Sequence, residues 1–573
     1  MQTRPRQTVQ NMAALALVGI GVGLITAFAT TGFVELVQHL NRILFIAPDS
    51  RAQLVGMQLG LITIAVLTVG GLAVGLILQY GVDRRVSIGP VETIYAVQLH
   101  ERLPSPVSGV NSTIASILSL GCGASVGQYG PLVYLGTLVG QIANRWQLGL
   151  RDIRIIAIAC GVAAAISAAF NAPIAALIFT HEVILRHYSL RMFAAVTVAS
   201  ASGYLVANVV FDHPPLFLIS FEGSFRAIEF LFFALEGVAC GLLAVVFMKL
   251  LQQSTALAKR IRIPQFCKPM CAGFVVGLIA LQIPEVLGAG QGVFRLASIS
   301  GSYTADTLLL ILLAKLLVTV ICIGFGFAGG VIFPSLLIGV LFGALYALLL
   351  PEWLLVEYSG LSVYAVCGMM AVMSPVIGAP MTALLLVFEL TRSYEFTIAA
   401  MVSIVFANFI AHRWYGRSLY DHQLFNLGID LSQGRERAYL MHRKVVELVV
   451  DSIPVLPQDV KVSEVRAKML KHSTASAVVI GAEQMFLGLV YQQQLTAHDE
   501  HEPLGAIAFQ WGEVFNQDTS VWEAMQTMRD YIGEAIPVVD SDNGQFLGMV
   551  PEAAVINAYL DATQELRREE HEV

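Results

Sequence analysis

Two stretches of this chain, residues 171–182 and 378–389, are versions of each other, and both sit inside apolar sequence. NAPIAALIFTHE in the first returns as GAPMTALLLVFE in the second. Ala172, Pro173, Ala176, Leu177 and Glu182 recur as Ala379, Pro380, Ala383, Leu384 and Glu389, each 207 positions later. A second pair lies at a slightly shorter offset: GQYGP (Gly127–Pro131) is echoed by GGVIFP (Gly329–Pro334), each opening an apolar run. Such a duplication calls for two related halves, here about 10–215 and 225–430. In membrane proteins halves of this kind commonly meet around a substrate site near the bilayer midplane, between broken helices.

Composition supports a membrane setting. Of 573 residues, 56% are hydrophobic and 13% charged, against about 25% charged in soluble domains. Ala13–Val34, Leu54–Leu78, Ile155–Thr180, Phe230–Leu250 and Leu308–Leu350 are apolar runs of the length, about 20 residues, that spans a bilayer. Runs at 110–125, 131–142, 361–373 and 397–411 are shorter and interrupted by Gly or Pro. Broken spans argue against a plain receptor bundle, because irregular backbone at membrane depth must line a cavity or be buried in protein.

The basic start MQTRPRQ precedes an apolar run with no small-residue cleavage site, which reads as a retained first membrane helix. Basic clusters at Arg84-Arg85, Arg145–Arg154, Arg186–Arg191 and Lys259–Lys268 mark cytoplasmic loops, and Asp212–Glu222, without Lys or Arg, fits the other side. The N-terminus and the tail are therefore expected in the cytoplasm of a bacterial inner membrane protein. The net charge of −7 is segregated by loop and gives no nucleic-acid signal. Seven cysteines lie at or within apolar segments without paired spacing; Cys267 and Cys271 lack a His or carboxylate companion and read as structural, so no metal is expected.

From about Met441 the sequence is of soluble type. β-like runs (Ala477–Ile480, Phe486–Tyr491, Ala535–Val539, Phe546–Val550) alternate with helical ones (Val462–Leu470, Ser520–Tyr531, Ala553–Arg567). ASAVVIGAEQMFLGLVYQQQL resembles EAIPVVDSDNGQFLGMVPEAAV, and each copy resembles the CBS module, giving modules over 440–500 and 501–573. Gln494 and Ala554 stand where the ribose-binding form of that module carries an Asp. A structural or dimer-contact role is expected there, and no cofactor.

Ser87-Ile88-Gly89-Pro90, GQYGP, FNAPIAALIFTHEV, KLLVTVICIGFGFAGGVIFPS and SLYD (Ser418–Asp421) occur in the order and at the spacing of the CLC anion channels and exchangers. The resemblance covers residues 10–565. It implies an all-α polytopic membrane protein over 1–430, an inverted-repeat bundle of tilted and broken helices, followed by an α/β CBS pair. It also implies a homodimer in lipid with one anion pore per subunit. By resemblance Ser87 and Tyr420 would give hydroxyls to a central anion, Val331 and Ile332 would give backbone N–H groups, and Gly89 belongs to the same anion-binding set; chloride is the first expectation. The physics is independent of the family name. Helix N-termini offer unpaired N–H groups and about half a positive charge without a fixed cation. Gly lets backbone approach an ion, and Pro suits a first helical turn.

The departures bear on mechanism. The serine loop reads VSIGP where the family reads GSGIP, which leaves bicarbonate or nitrate open beside chloride. In the loop Gly127, Gln128, Tyr129, Gly130, Pro131, the tyrosine takes the place of the family's gating glutamate and the glutamine that of its arginine. Tyrosine has a reference pKa of about 10 against about 4.3 for glutamate, so Tyr129 is expected to gate by bulk and hydroxyl. The internal relay glutamate is replaced by Val183. Passive, proton-uncoupled anion movement follows, with a proton-coupled antiporter using a substitute relay such as His181 as the alternative. Enzymatic readings fail: His181-Glu182 opens an HExxH pattern, but Leu185 takes the second ligand position. A membrane sensor read out by the tail is a further reading, which predicts no flux.

Overall fold

The computed structural model describes residues 5–47, 57–83, 88–101, 103–143, 153–212, 225–354, 359–450, 453–507, 509–510, 512–531 and 533–571. The chain forms two compact units, one ending at Leu427 and one spanning Gly428–Glu572.

The first unit is helical. Its first half contains α1 (Pro5–Ile43), α2 (Met57–Gly81), α3 (Pro90–Gln98), α4 (Pro106–Gly121), α5 (Tyr129–Ala143), α6 (Ile153–Phe170), α7 (Pro173–Phe179) and α8 (Leu190–Leu205). The second half answers with α9 (Glu229–Arg260), α10 (Cys267–Ala280), α11 (Gln291–Ala297), α12 (Ala305–Gly324), α13 (Ile332–Leu354), α14 (Leu361–Ile377), α15 (Pro380–Thr391) and α16 (Tyr394–Trp414). A short α17 (Leu419–Asn426) follows. Among the described residues eight helices are long and apolar enough to cross a membrane.

Packing repeats with the sequence. α5 lies on α6 as α13 lies on α14. A Cβ on Gly136 would sit 2.3 Å from the Gly161 carbonyl oxygen, and one on Gly339 2.4 Å from that of Gly368. Only glycine permits so close an approach, and dispersion over the resulting contact holds helices together where lipid removes the hydrophobic drive.

Two reciprocal exchanges relate the halves by a local two-fold. The Gly127 N–H donates to the Gly330 carbonyl (2.8 Å) and the Gly330 N–H donates back (2.7 Å). Glu182, after the end of α7, accepts from the N–H groups of Met381 and Thr382 at the start of α15 (2.9 and 2.8 Å). Glu389, near the end of α15, accepts from Ile174 and Ala175 at the start of α7 (2.8 and 2.7 Å). α7 and α15 are therefore antiparallel neighbours, each supplying the anion that the other's N-terminus lacks.

The expected run Leu308–Leu350 is divided: α12 ends at Gly324, and a glycine-rich loop turns the chain before α13 starts at Ile332. The interrupted run 397–411 is instead part of the continuous 21-residue α16. α7 continues into a π-helical turn, Thr180–Leu185, whereas α15 stays regular to Thr391. One residue more separates Glu182 from the left-handed Arg186 than separates Glu389 from the left-handed Arg392. A one-residue insertion widens a helical turn in this way.

The second unit begins with α18 (Arg435–His442) and holds two three-stranded sheets. β1 (Val455–Pro457) runs parallel to β2 (Ser476–Ile480), which pairs antiparallel with β3 (Phe486–Tyr491). β4 (Phe515–Asn516), β5 (Ala535–Val539) and β6 (Phe546–Pro551) repeat the pattern, with Val455↔Val478 matched by Phe515↔Val538. Helices α19 (Val462–His472), α20 (Gln492–Leu495), α21 (Val521–Met528) and α22 (Glu552–His571) complete the modules. Ile453, Val478, Phe486, Leu489, Ala535 and Met549 form a shared apolar core, which joins the modules into one body.

Candidate functional site

Three helix N-termini converge on one cavity of about 450 Å3 in the first unit. Gly89 and Pro90 open α3, Gly130 and Pro131 lie in the first turn of α5, and Gly330 and Val331 precede α13. Tyr420, from the first turn of α17, closes the wall; it is 3% exposed and its hydroxyl has no hydrogen-bond partner. The first N–H groups of a helix have no intrahelical acceptor. With the Gly330 N–H given to Gly127 and no N–H on the prolines, the wall offers the N–H groups of Gly130 and Val331 and a free phenol, and it suits a small anion.

Of the residues singled out from sequence, Gly89, Gly130, Pro131, Val331 and Tyr420 line this cavity. Ile332 starts α13 just behind Val331, and Gly127 is engaged with Gly330. Ser87 lies outside the described residues.

The Gly89 N–H is engaged within the protein: it donates to Glu92 Oε2 (2.8 Å), the N3 carboxylate folding back over the start of its own helix. The Ile88 N–H likewise donates to Ser112 Oγ (2.9 Å). The α3 terminus therefore carries protein acceptors of its own, and α5, α13 and Tyr420 keep donors for a guest.

Tyr129 does not line the cavity. It stands behind Gly130, 1% exposed, with its ring stacked on Phe170 at 3.6 Å between centroids. Phe333 lies 5.8 Å away, and Phe294 packs 5.4 Å from Phe333. These four rings form an aromatic cluster, and the Tyr129 hydroxyl makes no hydrogen bond of ordinary geometry beside Gln128. Asn171, which follows Phe170, adopts φ +60° and exchanges side-chain amide hydrogen bonds with Asn208.

Val183 is buried in the π-turn beyond α7, whose carbonyls at Ile184 and Leu185 accept from Gln98 Nε2 (2.8 and 2.7 Å). His181, also buried, faces the His187 carbonyl through Nδ1 (3.0 Å), and its Nε2 has no partner. Its ring lies against Tyr188 and Phe193.

Sequence reasoning missed the lysines. Lys259 and Lys268, read as members of a loop cluster, line the cavity together with Gln79, Gln265 and Gln423. Neither has an ion-pair partner among the described residues. Two cations at one mouth raise the local anion concentration. The signal that could have found them is their position immediately flanking two apolar helices. Phe170 was missed for want of any motif reaching across the fold.

The chain matches the family described as "Voltage gated chloride channel" over residues 70–412, and the CBS domain over 513–561. It belongs to that channel and transporter family, and is an integral, multi-pass membrane protein of CLC type with a C-terminal CBS region. It is 28% identical over 429 residues to "Putative chloride channel protein ClcB-like" from Ralstonia nicotianae, covering 72% of this chain and 96% of that one. It is 30% identical over 317 residues to "H(+)/Cl(-) exchange transporter ClcA" from Vibrio campbellii, covering 53% of this chain and 67% of the relative. Among solved structures, a slow cyanobacterial Cl-/H+ antiporter superposes with TM-score 0.66 at 21% identity, over 74% of this chain and 99% of that one. A eukaryotic CLC transporter superposes with TM-score 0.61 at 17% identity, over 94% and 97%.

Proposed function

We propose that this chain moves anions passively, without proton coupling, through one pathway per subunit, with chloride as the first substrate. The observation that carries this reading is the pair of replacements at the two proton-handling positions. Tyr129 is locked in an aromatic stack, and Val183 offers no exchangeable proton. The anion would enter past Lys259 and Lys268 and rest against Val331, Ile332 and the Tyr420 hydroxyl, with Ser87 as a second hydroxyl. The Tyr129–Phe170 stack would be the barrier. Bicarbonate or nitrate are the other substrates that the altered serine loop admits.

In purified proteoliposomes a downhill anion gradient should move chloride and leave external pH unchanged. Tyr129→Ala should raise flux on the order of tenfold, equivalent to about 1.4 kcal/mol of barrier. Tyr129→Phe should change it little if ring bulk dominates. Uphill proton pumping at a fixed ratio would overturn the uncoupled reading. A complete lack of anion flux would favour a sensor.

A coupled antiporter is the second reading, favoured by the unpartnered Nε2 of buried His181; the Vibrio relative is named as an exchanger. His181→Phe would then abolish pumping. We further propose a homodimer, with the exposed apolar residues Ile174, Met381 and Phe388 of α7 and α15 in its interface. The N-terminus and tail would be cytoplasmic. The tail would bind no adenine nucleotide: Gln494 Oε1 accepts from the Tyr491 N–H (2.9 Å), and residue 554 is alanine.

A further inference from the structure

The two halves act as internal controls for each other, and they differ sharply at one buried place. α1 packs on α8 through Gly23 against the Ala199 carbonyl, and α9 packs on α16 through Gly237 against that of Ser403. This contact aligns Val22 with Glu236, Leu15 with Glu229 and Ala199 with Ser403. The Gly136–Gly161 and Gly339–Gly368 contacts align Ala143 with Tyr346 and Ala157 with Tyr364. Five buried apolar positions in the first half are thus polar in the second. Symmetry does not ask for that polarity.

Glu236 is 0% exposed, two helical turns into α9, and its Oε1 has no hydrogen-bond partner. Oε2 has one long contact, from Ser403 Oγ at 3.4 Å. Among the described residues no Lys or Arg pairs with it. The ionisable groups facing it are Cys240 on α9, Tyr346 on α13, and Tyr364 and Cys367 on α14, with Glu229 reached through Tyr364. α16 contributes Ser403, and α12 approaches α9 at Gly324 against Ser254, five turns along. One turn-pair outward, Glu229 accepts from Ser359 N–H and Oγ (3.0 and 2.9 Å) and lies 3.5 Å from the Tyr364 hydroxyl. Glu229, Tyr364 and Glu236 therefore form a short polar ladder leading inward from the end of a membrane helix. Ionisable groups at membrane depth are costly to keep and are default candidates for function.

We propose that Glu236 is a proton-binding site whose occupancy sets the rate of anion passage. The proton exchanges with solvent at the Glu229–Ser359 end of the ladder. The mechanical route is short. A Cβ on Gly368 would lie 3.0 Å from Glu236 Oε1, and Gly368 is also the backbone on which Gly339 of α13 rests. Gly339 is two turns from Ile332, where α13 meets the anion cavity. The neutral acid fits against the Gly368 backbone. A carboxylate in the same place has an oxygen without a donor in a low-dielectric site, so it draws water and loosens the α13–α14 contact. Ionisation therefore opens the pathway. No member of the ladder lines the anion cavity, so this site regulates flux without fixing a proton-to-anion ratio.

The effect on flux rests on the anion-passage reading, whereas the site does not, and two readouts separate them. Anion flux of the full-length protein in liposomes should rise several-fold between about pH 5 and pH 9. Glu236→Gln and Glu236→Val, the latter copying the first half, should give slow, pH-independent flux. Glu236→Asp should restore the pH dependence with a displaced midpoint. Infrared difference spectra should show a protonated-carboxyl band that titrates in the wild type and is missing in Glu236→Gln. A titrating band in a protein that passes no anion keeps the proton site and removes its effect on transport. An unchanged pH–flux profile in Glu236→Gln, a flat wild-type profile, or no such band would overturn the proposal.

Discussion

The first and second halves of the membrane unit share an architecture and divide the chemistry between them. Where mates agree, the residues hold the fold: Glu182 and Glu389 exchange helix caps, and Gly127 and Gly330 exchange backbone hydrogen bonds. Where mates differ, the two halves diverge in polarity. Tyr129 begins α5 with a ring locked on Phe170, whereas Ile332, its mate, begins α13 behind the open cavity wall. Ser112 of α4 and Lys315 of α12 are mates too. Ser112 accepts from the Ile88 N–H, while the fully buried Lys315 donates through Nζ to the carbonyls of Val286 and Gly288 (2.9 and 2.7 Å). The same position thus serves a loop presenting a donor in one half and a loop presenting acceptors in the other.

That opposition supplies the largest test. Lys315→Met should cost about 2–6 kcal/mol, about 1–3 for each of the two buried carbonyls it leaves without a partner. Ser112→Ala should cost about 1 kcal/mol, the net worth of one ordinary hydrogen bond. Thermal unfolding in detergent measures both. Equal costs would mean that Lys315 holds nothing that a hydroxyl does not.

A second, smaller effect tests the agreement between mates. Glu182→Ala and Glu389→Ala should each destabilise by about 1.5–3 kcal/mol, the scale of hydrogen bonds to a charged acceptor. Glu182 should lie at the upper end, because it also accepts from Thr382 Oγ1 (2.6 Å). If Glu182→Ala altered the anion order while Glu389→Ala did not, capping would not be the whole role of Glu182.

These comparisons also show how much could be read from sequence. The duplication, the membrane class and the tail's double module were legible, because they depend on local composition and on spacing along the chain. Strands β2, β3, β5 and β6 were visible as β-branched runs, whereas β1 and β4, of three and two residues, carry no periodicity. Val331 and Tyr420, which line the cavity, stand out through their motifs. The Tyr129–Phe170 stack does not, because side chains 41 positions apart meet only through the packing of α5 on α6. Lys315, Glu229 and Glu236 were overlooked although their signal was plain: single charges inside otherwise apolar spans. Glu92 was overlooked because a capping carboxylate three residues past a glycine resembles any helix start.

The tail offers a control on the whole comparison, because its two modules differ at a position with no evident bearing on transport. α21 begins with a reciprocal cap: the Glu523 N–H donates to Ser520 Oγ (3.2 Å), and the Ser520 N–H donates to Glu523 Oε2 (2.9 Å). Its mate α19 has Lys461 at that place, with no side-chain cap. The N–H of Ser520 foremost, and then its hydroxyl, hold the Glu523 carboxyl below the usual glutamate range. A folded value lowered in this way contributes stability above the unfolded value of about 4.3, and the contribution is lost as pH falls through the folded value. Ser520→Ala should therefore weaken protection of the 520–528 amides by about 0.5–2 kcal/mol at neutral pH. The difference from wild type should shrink in acid, while Lys461→Ala changes residues 461–469 little at any pH. Hydrogen exchange on the full chain resolves both segments. If flux also changed with Ser520→Ala, this asymmetry would join those of the membrane halves as functional; if only protection changes, differing mates mark function only where the site they face requires it.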